Sequence, residues 1–294
     1  MESLDGNTRL ARAGLAQRIP PQVFFLGSAI FHYLGPSFAV LLFAHVSVPG
    51  VAWLRIASAA LVFAVWRRPW RSLIGSTSST KWTIGALGAV FALMNYSFYV
   101  AIDRLPLGTV AAIEFVGPIL LALAGSRNAR NFSALIAAVT GVYLLIDVRI
   151  AGDPVAFVWA FLNAALFVLY IVLAHSIANA DIRVSAIDRL AAAMLVAAIV
   201  VTPIGFVGAI PALLDPVALL AGIGVGVSSS VIPYVFDQLA MARLPRATYA
   251  LFVAILPATA VVMGVLVLHQ VPSAIELLGV ALVAVGVAVH RPAA

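Results

Sequence analysis

The sequence predicts an all-α membrane protein: ten transmembrane helices arranged as two inverted five-helix repeats, with both termini cytoplasmic. Three observations carry that prediction. Of the 294 residues, 64% are hydrophobic and only 10% are charged, and the mean hydropathy is +1.12. A soluble domain is about 45–50% apolar and about 25% charged. The apolar residues fall into ten runs of membrane-spanning length. Finally, Arg104-Leu105-Pro106 returns as Arg243-Leu244-Pro245 after 139 residues, close to half the chain.

Taken in order, residues 1–20 are polar and carry Arg9, Arg12 and Arg18. No small-residue cleavage site follows a short apolar core, so they read as a cytoplasmic tail and not as a signal peptide. A membrane helix needs about 20 mainly apolar residues. The first half, residues 21–150, offers 22–45, 49–66, 82–102, 106–125 and 132–148. The second half, residues 151–291, offers 154–175, 188–208, 216–239, 246–268 and 273–290. The connections are short and carry helix breakers: Pro49-Gly50, Pro106, Gly152-Asp153-Pro154, Pro211, Asp215-Pro216, Pro245 and Pro272. No stretch remains for a soluble domain.

Lys and Arg gather in cytoplasmic loops. With the N-terminus inside, fourteen of the seventeen basic residues fall in inside segments. Arg104 and Arg149 lie outside, and Arg55 lies within a span. The bias fixes both termini as cytoplasmic and supports ten spans, because a missed span would invert every later loop. The net charge of +6 is thereby a topology signal; no basic stripe or aromatic-basic module points to nucleic acid. The chain has no Cys, which excludes a disulfide framework and thiolate metal ligands.

The repeat extends beyond the tripeptide. Pro257 follows Pro118, and Ala240 follows Ala101, by the same 139 residues. One residue of slippage brings Gly141-Val142 onto Gly279-Val280. Five spans per half is an odd number, so the second half enters the membrane from the opposite side. Such inverted repeats build transporters whose substrate site lies near the midplane, between the halves.

An ionisable group within hydrocarbon costs several kcal/mol, about 2.5–3.5 on insertion scales, so each needs a partner or a role. Glu114 lies mid-span in the fourth run. It suits a proton carrier or a ligand for a substrate ammonium; it also suits a structural role in which it pairs with Arg or stays protonated. Asp237 lies two turns before Arg243, as a second acidic candidate or an interfacial residue. Arg55 can hold a carboxylate in a bidentate fork, pair with a structural carboxylate, or snorkel outward. His32, before Gly35-Pro36, is either a titrating group beside a helix break or a packing residue. Asn95, Tyr96 and Tyr99 on the third span, Asn163 and Tyr170 on the sixth, and Tyr234 and Gln238 on the eighth supply aromatic faces with amide donors. Those faces suit an amphipathic or zwitterionic ligand, with interfacial anchoring as the alternative for the tyrosines. Ser228-Ser229-Ser230, after Gly222, Gly224 and Gly226, read as close helix packing through small residues.

The order and spacing of several short motifs resemble a known family. They are Leu54-Arg55, Met94-Asn95-Tyr96…Phe98-Tyr99, Leu105-Pro106-Leu107-Gly108, Glu114-Phe115…Gly117-Pro118, Ile232-Pro233-Tyr234 and Arg243-Leu244-Pro245. Together they are similar to the ten-span EamA branch of the drug/metabolite transporter superfamily, in its threonine/homoserine exporter type. The resemblance runs from about residue 20 to 291. It departs at Leu256, where the family commonly has Glu before Pro, and at His269-Gln270, where Gly-Glu is usual. It implies a secondary transporter of the bacterial inner membrane that exports small amino acids or related metabolites in exchange for protons, by alternating access, with no cofactor. Export of drugs or other amphipathic metabolites, or uptake, is the alternative.

Two other classes have little in the sequence. An intramembrane enzyme needs a catalytic set such as G-x-S-x-G or H-E-x-x-H, and neither occurs. No Walker A motif is present, so ATP is not expected. A non-transporting scaffold or sensor is separated from a transporter by substrate flux. The expected partners are a small-molecule substrate, protons and the bilayer, and the small-residue faces permit a homodimer.

Overall fold

The computed structural model describes residues 19–70, 74, 76–125, 128–149, 153–178, 186–241, 243 and 255–289. Among them the regular structure is helical. Ten principal helices run in order: α1 (Pro21–Leu42), α2 (Val48–Arg67), α3 (Ser78–Ile102), α4 (Leu107–Gly125), α5 (Ala129–Arg149), α6 (Pro154–Ala178), α7 (Ala186–Leu214), α8, α9 (Leu256–Leu268) and α10 (Ala274–Val289). Helix α8 is composite. It runs from Pro216–Gly226 through a π-helical segment, Val227–Val231, into Ile232–Met241.

Six of the ten are long and apolar enough to cross a membrane: α1, α2, α3, α6, α7 and α8. The other four are shorter apolar helices among the described residues. Each coincides with an expected span, and among the described residues two boundaries differ by four residues or more. Helix α7 continues through Pro203 and Pro211 to Leu214, six residues beyond the expected end at 208. Helix α3 starts at Ser78 because Thr77 accepts a hydrogen bond from the Thr80 N–H, a side-chain cap that the apolar count ignores. The N-terminal tail to residue 18, the loop cations Arg71, Arg127, Arg183, Arg246 and Arg291, Leu244-Pro245 and the start of the ninth span lie outside the described residues.

Polar side chains set several other helix starts. Asp153 accepts from the N–H groups of Val155 and Ala156 at the head of α6. Asp215 does so for Val217 at the head of α8. Ser273 and Glu276 form a reciprocal capping box before α10: the Ser273 N–H donates to Glu276 Oε2 at 2.8 Å, and the Glu276 N–H donates to Ser273 Oγ at 3.2 Å. Helix α4 is capped from elsewhere in the chain. The Leu107 N–H donates to Gln270 Oε1, 3.1 Å away in the α9–α10 connection.

The most extensive pairings are α2 with α7 and α5 with α10. Helix α3 packs on α6 and α7, α8 on α1 and α2, and α9 on α1 and α4. Several crossings bring backbones together at glycine. A Cβ at Gly141 would lie 2.5 Å from the Gly279 carbonyl oxygen, and a Cβ at Gly279 would lie 2.8 Å from that of Gly141. The α3–α7 and α8–α2 crossings match one another in detail. A Cβ at Gly88 would lie 2.7 Å from the Ala193 carbonyl oxygen, and a Cβ at Gly226 would lie 2.6 Å from that of Arg55; Gly226 follows Gly88, and Ala193 follows Arg55, by 138 residues.

Candidate functional site

The polar residues predicted within spans converge where α1, α2, α3, α4, α6 and α8 meet. Arg55 and Glu114 anchor the cluster. Each lies seven residues from the start of its helix, about 10 Å of rise, and each is buried, at 4% and 7% exposure. Arg55 does not snorkel outward. Its Nε donates to Ser230 Oγ at 3.1 Å and its Nη2 to the Ser229 carbonyl at 3.2 Å. The Tyr99 ring lies against the guanidinium, 5.2 Å from centroid to Cζ, a cation–π contact between two buried groups.

The π-helical segment explains why α8 has acceptors to offer. Pro233 has no N–H, so the carbonyl one turn earlier, that of Ser229, loses its usual donor. The ladder widens, with the Ile232 N–H reaching back to Val227, and Arg55 supplies the donor to Ser229. π-bulges of this kind occur often at functional sites. On the far side, Ser28 Oγ of α1 donates to the Pro233 carbonyl at 3.2 Å.

Glu114 faces the Asn163 amide from α4 and lies within electrostatic reach of Arg55 and Tyr33. Asn163 is fully buried, and neither of its amide atoms makes a hydrogen bond of ordinary geometry among the described residues. The Tyr33 hydroxyl is likewise buried without such a bond. His32 is half-buried, stands edge-on to Tyr33 with centroids 5.5 Å apart, and feels the Arg55 charge.

An aromatic wall continues from this centre. Phe91 contacts Tyr170 at 5.8 Å and Tyr234 at 5.5 Å. Tyr170 also stacks on Phe167, at 6.0 Å and 10° between planes. Asp237 is half-buried and acts electrostatically on both Tyr170 and Tyr234, so it borders the aromatic wall. Asn95 is turned back on its own helix, donating to the Phe91 carbonyl at 2.8 Å. Tyr96 packs edge-on against Trp159 at 5.6 Å, while Tyr234 packs on Phe91. The Gln238 side chain lies outside the described residues.

Sequence reasoning passed over Tyr33, Ser229 and Ser230 as site residues. A signal for Ser229 was present: a Pro four residues on frees its carbonyl. The packing role expected for the α8 glycines holds at Gly222 and Gly226, against Leu54 and Ser58, while nothing stands within 4 Å of a Cβ at Gly224. Gly224 borders an apolar crevice of about 540 Å³ between α1 and α8, lined by Phe38, Leu41, Val217 and Ala221 and reaching Ser228. Among the described residues no group of three or more His, Cys, Asp or Glu is placed to hold a metal ion.

Residues 154–290 match the model of the EamA-like transporter family. The threonine/homoserine exporter RhtA of Salmonella typhimurium LT2 is 32% identical over 247 residues, 83% of this chain and 82% of that protein. The chain belongs to the EamA-like transporter family. RhtA of Escherichia coli K12 is similarly 32% identical over 250 residues, with 83% and 82% covered. A solved crystal structure with 18% identity aligns with this EamA-like chain at a TM-score of 0.56, over 92% of this chain and 95% of the other. That likeness concerns the fold. As a member of this family, the chain is a multi-pass membrane protein.

Proposed function

We propose that the protein is a secondary exporter of small zwitterionic amino acids, of the threonine and homoserine class, in the bacterial inner membrane. It exchanges cargo for protons by alternating access and carries out no chemical conversion. The observation that carries this reading is the placement of Arg55 and Glu114 at matching helix depth in one buried aromatic cluster. A zwitterion has a carboxylate for the Arg55 fork and an ammonium for Glu114. The ammonium and a proton compete for the same carboxylate, so loading one releases the other. The names of the RhtA relatives support that cargo class.

Alternating access comes from two five-helix halves, 21–150 and 151–291, in inverted orientation with both termini cytoplasmic. The packing supports this. Exchanging α1–α5 with α6–α10 turns the pairing α3–α6 into α8–α1, α3–α7 into α8–α2 and α4–α6 into α9–α1. The pairings α2–α7, α4–α9 and α5–α10 map onto themselves, as a two-fold axis requires. The reciprocal contact of Gly141 with Gly279, and the matched contacts of Gly88 and Gly226, follow the same rule.

The test is flux in proteoliposomes with labelled amino acids, with and without an imposed pH gradient. Gradient-dependent movement of threonine or homoserine is expected. Gradient-independent movement sinks the proton exchange. If no amino acid moves in folded protein, the cargo is instead a larger amphipathic metabolite or drug, a reading the apolar α1–α8 crevice favours.

A further inference from the structure

The Arg55 contact with α8 has the form of a carboxylate site filled from within. Nε and Nη2 are the two donors on one edge of the guanidinium, the edge whose parallel N–H groups match the two oxygens of a carboxylate. Here they meet two oxygens of α8, Ser230 Oγ at 3.1 Å and the Ser229 carbonyl at 3.2 Å. Both acceptors are neutral. No carboxylate stands within ion-pairing distance of Arg55 among the described residues. The Ser229 oxygen is available because Pro233 cannot bond it, and the wide turn Val227–Val231 presents both oxygens side by side. Both bonds are charge-assisted from the guanidinium side only; a carboxylate offers the same two donors a pair of oxygens that carry the opposite charge, so an incoming carboxylate can displace them.

We infer that the π-helical segment of α8 is a built-in surrogate for a substrate carboxylate, and that a carboxylate ligand displaces it from Arg55. The inference rests on the reading of Arg55 as the carboxylate ligand, and it adds a consequence. When the fork changes partner, α8 loses two of its ties to α2. The remaining α2–α8 contact includes close glycine packing, Gly222 on Leu54 and Gly226 on Ser58 and the Arg55 backbone, beside apolar side chains. Surfaces of that kind slide more easily than a hydrogen-bonded pair. Ligand capture and release of the α2–α8 crossing are then one event.

Acetate is the minimal probe, with sodium chloride at equal ionic strength as the control. Thermal stabilisation of the full chain in detergent is followed as acetate is titrated. Ser230→Ala removes one competitor for the fork, so its half-saturating acetate concentration is expected to fall about three- to tenfold below that of the native chain. Pro233→Ala returns an N–H donor to the Ser229 carbonyl and is expected to act in the same direction. Arg55→Lys keeps the charge and loses the fork, and its saturable response is expected to vanish. Equal half-saturation in native, Ser230→Ala and Pro233→Ala proteins overturns the inference. So does a response that persists in Arg55→Lys. Threonine flux in proteoliposomes separates the two readings. Absent flux with a normal acetate pattern removes the amino-acid cargo and keeps the surrogate; normal flux with a flat acetate pattern does the reverse.

Discussion

Arg55 is a charged side chain buried within an apolar helix, and its surroundings show how the cost is met. A charge within hydrocarbon costs about 2.5–3.5 kcal/mol on insertion scales. The guanidinium offsets this with two hydrogen bonds to α8 and an aromatic face, with Glu114 further off as counter-charge. Glu114 has the weaker set of partners, the Asn163 amide and the field of Arg55, which suits a group that exchanges its ligand. Glu114→Gln keeps the shape and removes the titration. Proton-driven flux is expected to fall to background while the melting temperature stays within a few degrees; native coupling in folded Glu114→Gln protein removes the assignment. At the end of the bundle, Arg104 Nη1 donates to Asp153 Oδ2 at 2.7 Å. That hydrogen bond holds the Asp153 carboxyl below its ordinary value, and the N–H groups heading α6 add to the effect. A carboxylate depressed in the folded state contributes stability above its unfolded pKa, and the contribution is lost as pH falls through the folded pKa. Asp153→Asn can still cap α6 and loses only the charge. Its melting temperature is expected to lie slightly below native at pH 7 and to converge with native below about pH 4; a gap that persists at acid pH assigns the effect to the cap.

At the scale of elements, breaks in regular helix occur where the site needs backbone. Pro233 converts one turn of α8 into a surface that a side chain of α2 can bind. The α9–α10 connection works in a related way. His269 takes the left-handed conformation at the end of α9, with φ of 55°, where glycine is the usual residue. The next residue, Gln270, reaches across to cap α4. His269-Gln270, one of the two places where the sequence was read as departing from the family pattern, therefore closes one helix end and caps another. The α5–α10 pair depends on close approach at Gly141 and Gly279. Gly141→Val would place a branched side chain against the Gly279 backbone and force the helices apart. A loss of about 1–3 kcal/mol is expected, read as a lower midpoint in thermal or denaturant unfolding. An unchanged midpoint would mean the crossing tolerates a wider spacing.

For the whole molecule, the proposed inverted topology is directly testable because the chain has no cysteine to remove. Single cysteines at Ala44, after α1, and at Ser79, at the start of α3, are both exposed positions. Under the proposal, Ala44→Cys is labelled from outside intact cells by an impermeant maleimide, and Ser79→Cys only after permeabilisation. The opposite pattern inverts the orientation, and labelling of both from one side refutes a crossing between them. The pairing of α2 with α7 spans the two halves and is tied at one end by Arg67 and Asp188, 2.7 Å apart, and further along by Trp53 donating to Thr202 at 3.0 Å. Under the proposed alternating access, motion between the halves has to work around those ties, which makes α8, joined to α2 by the contact proposed to be displaceable, the element best suited to move.

The sequence by itself determined the membrane class, the helix count, most helix boundaries and the family. These follow from local quantities: apolar run length, breaker residues and short motifs, each read within a few dozen residues. It also named most of the polar residues of the site, because a charge or amide in an apolar run is conspicuous. Tertiary structure alone decided what each of them touches. The partners of Arg55 lie 174 and 175 residues away in sequence, and both are neutral oxygens that composition cannot distinguish from packing serines. Tyr33 entered the site, and Tyr96 turned to Trp159, through the rotation of their helices. No periodicity within an all-apolar helix encodes it, because in a bilayer the face towards lipid and the face towards protein are equally hydrophobic.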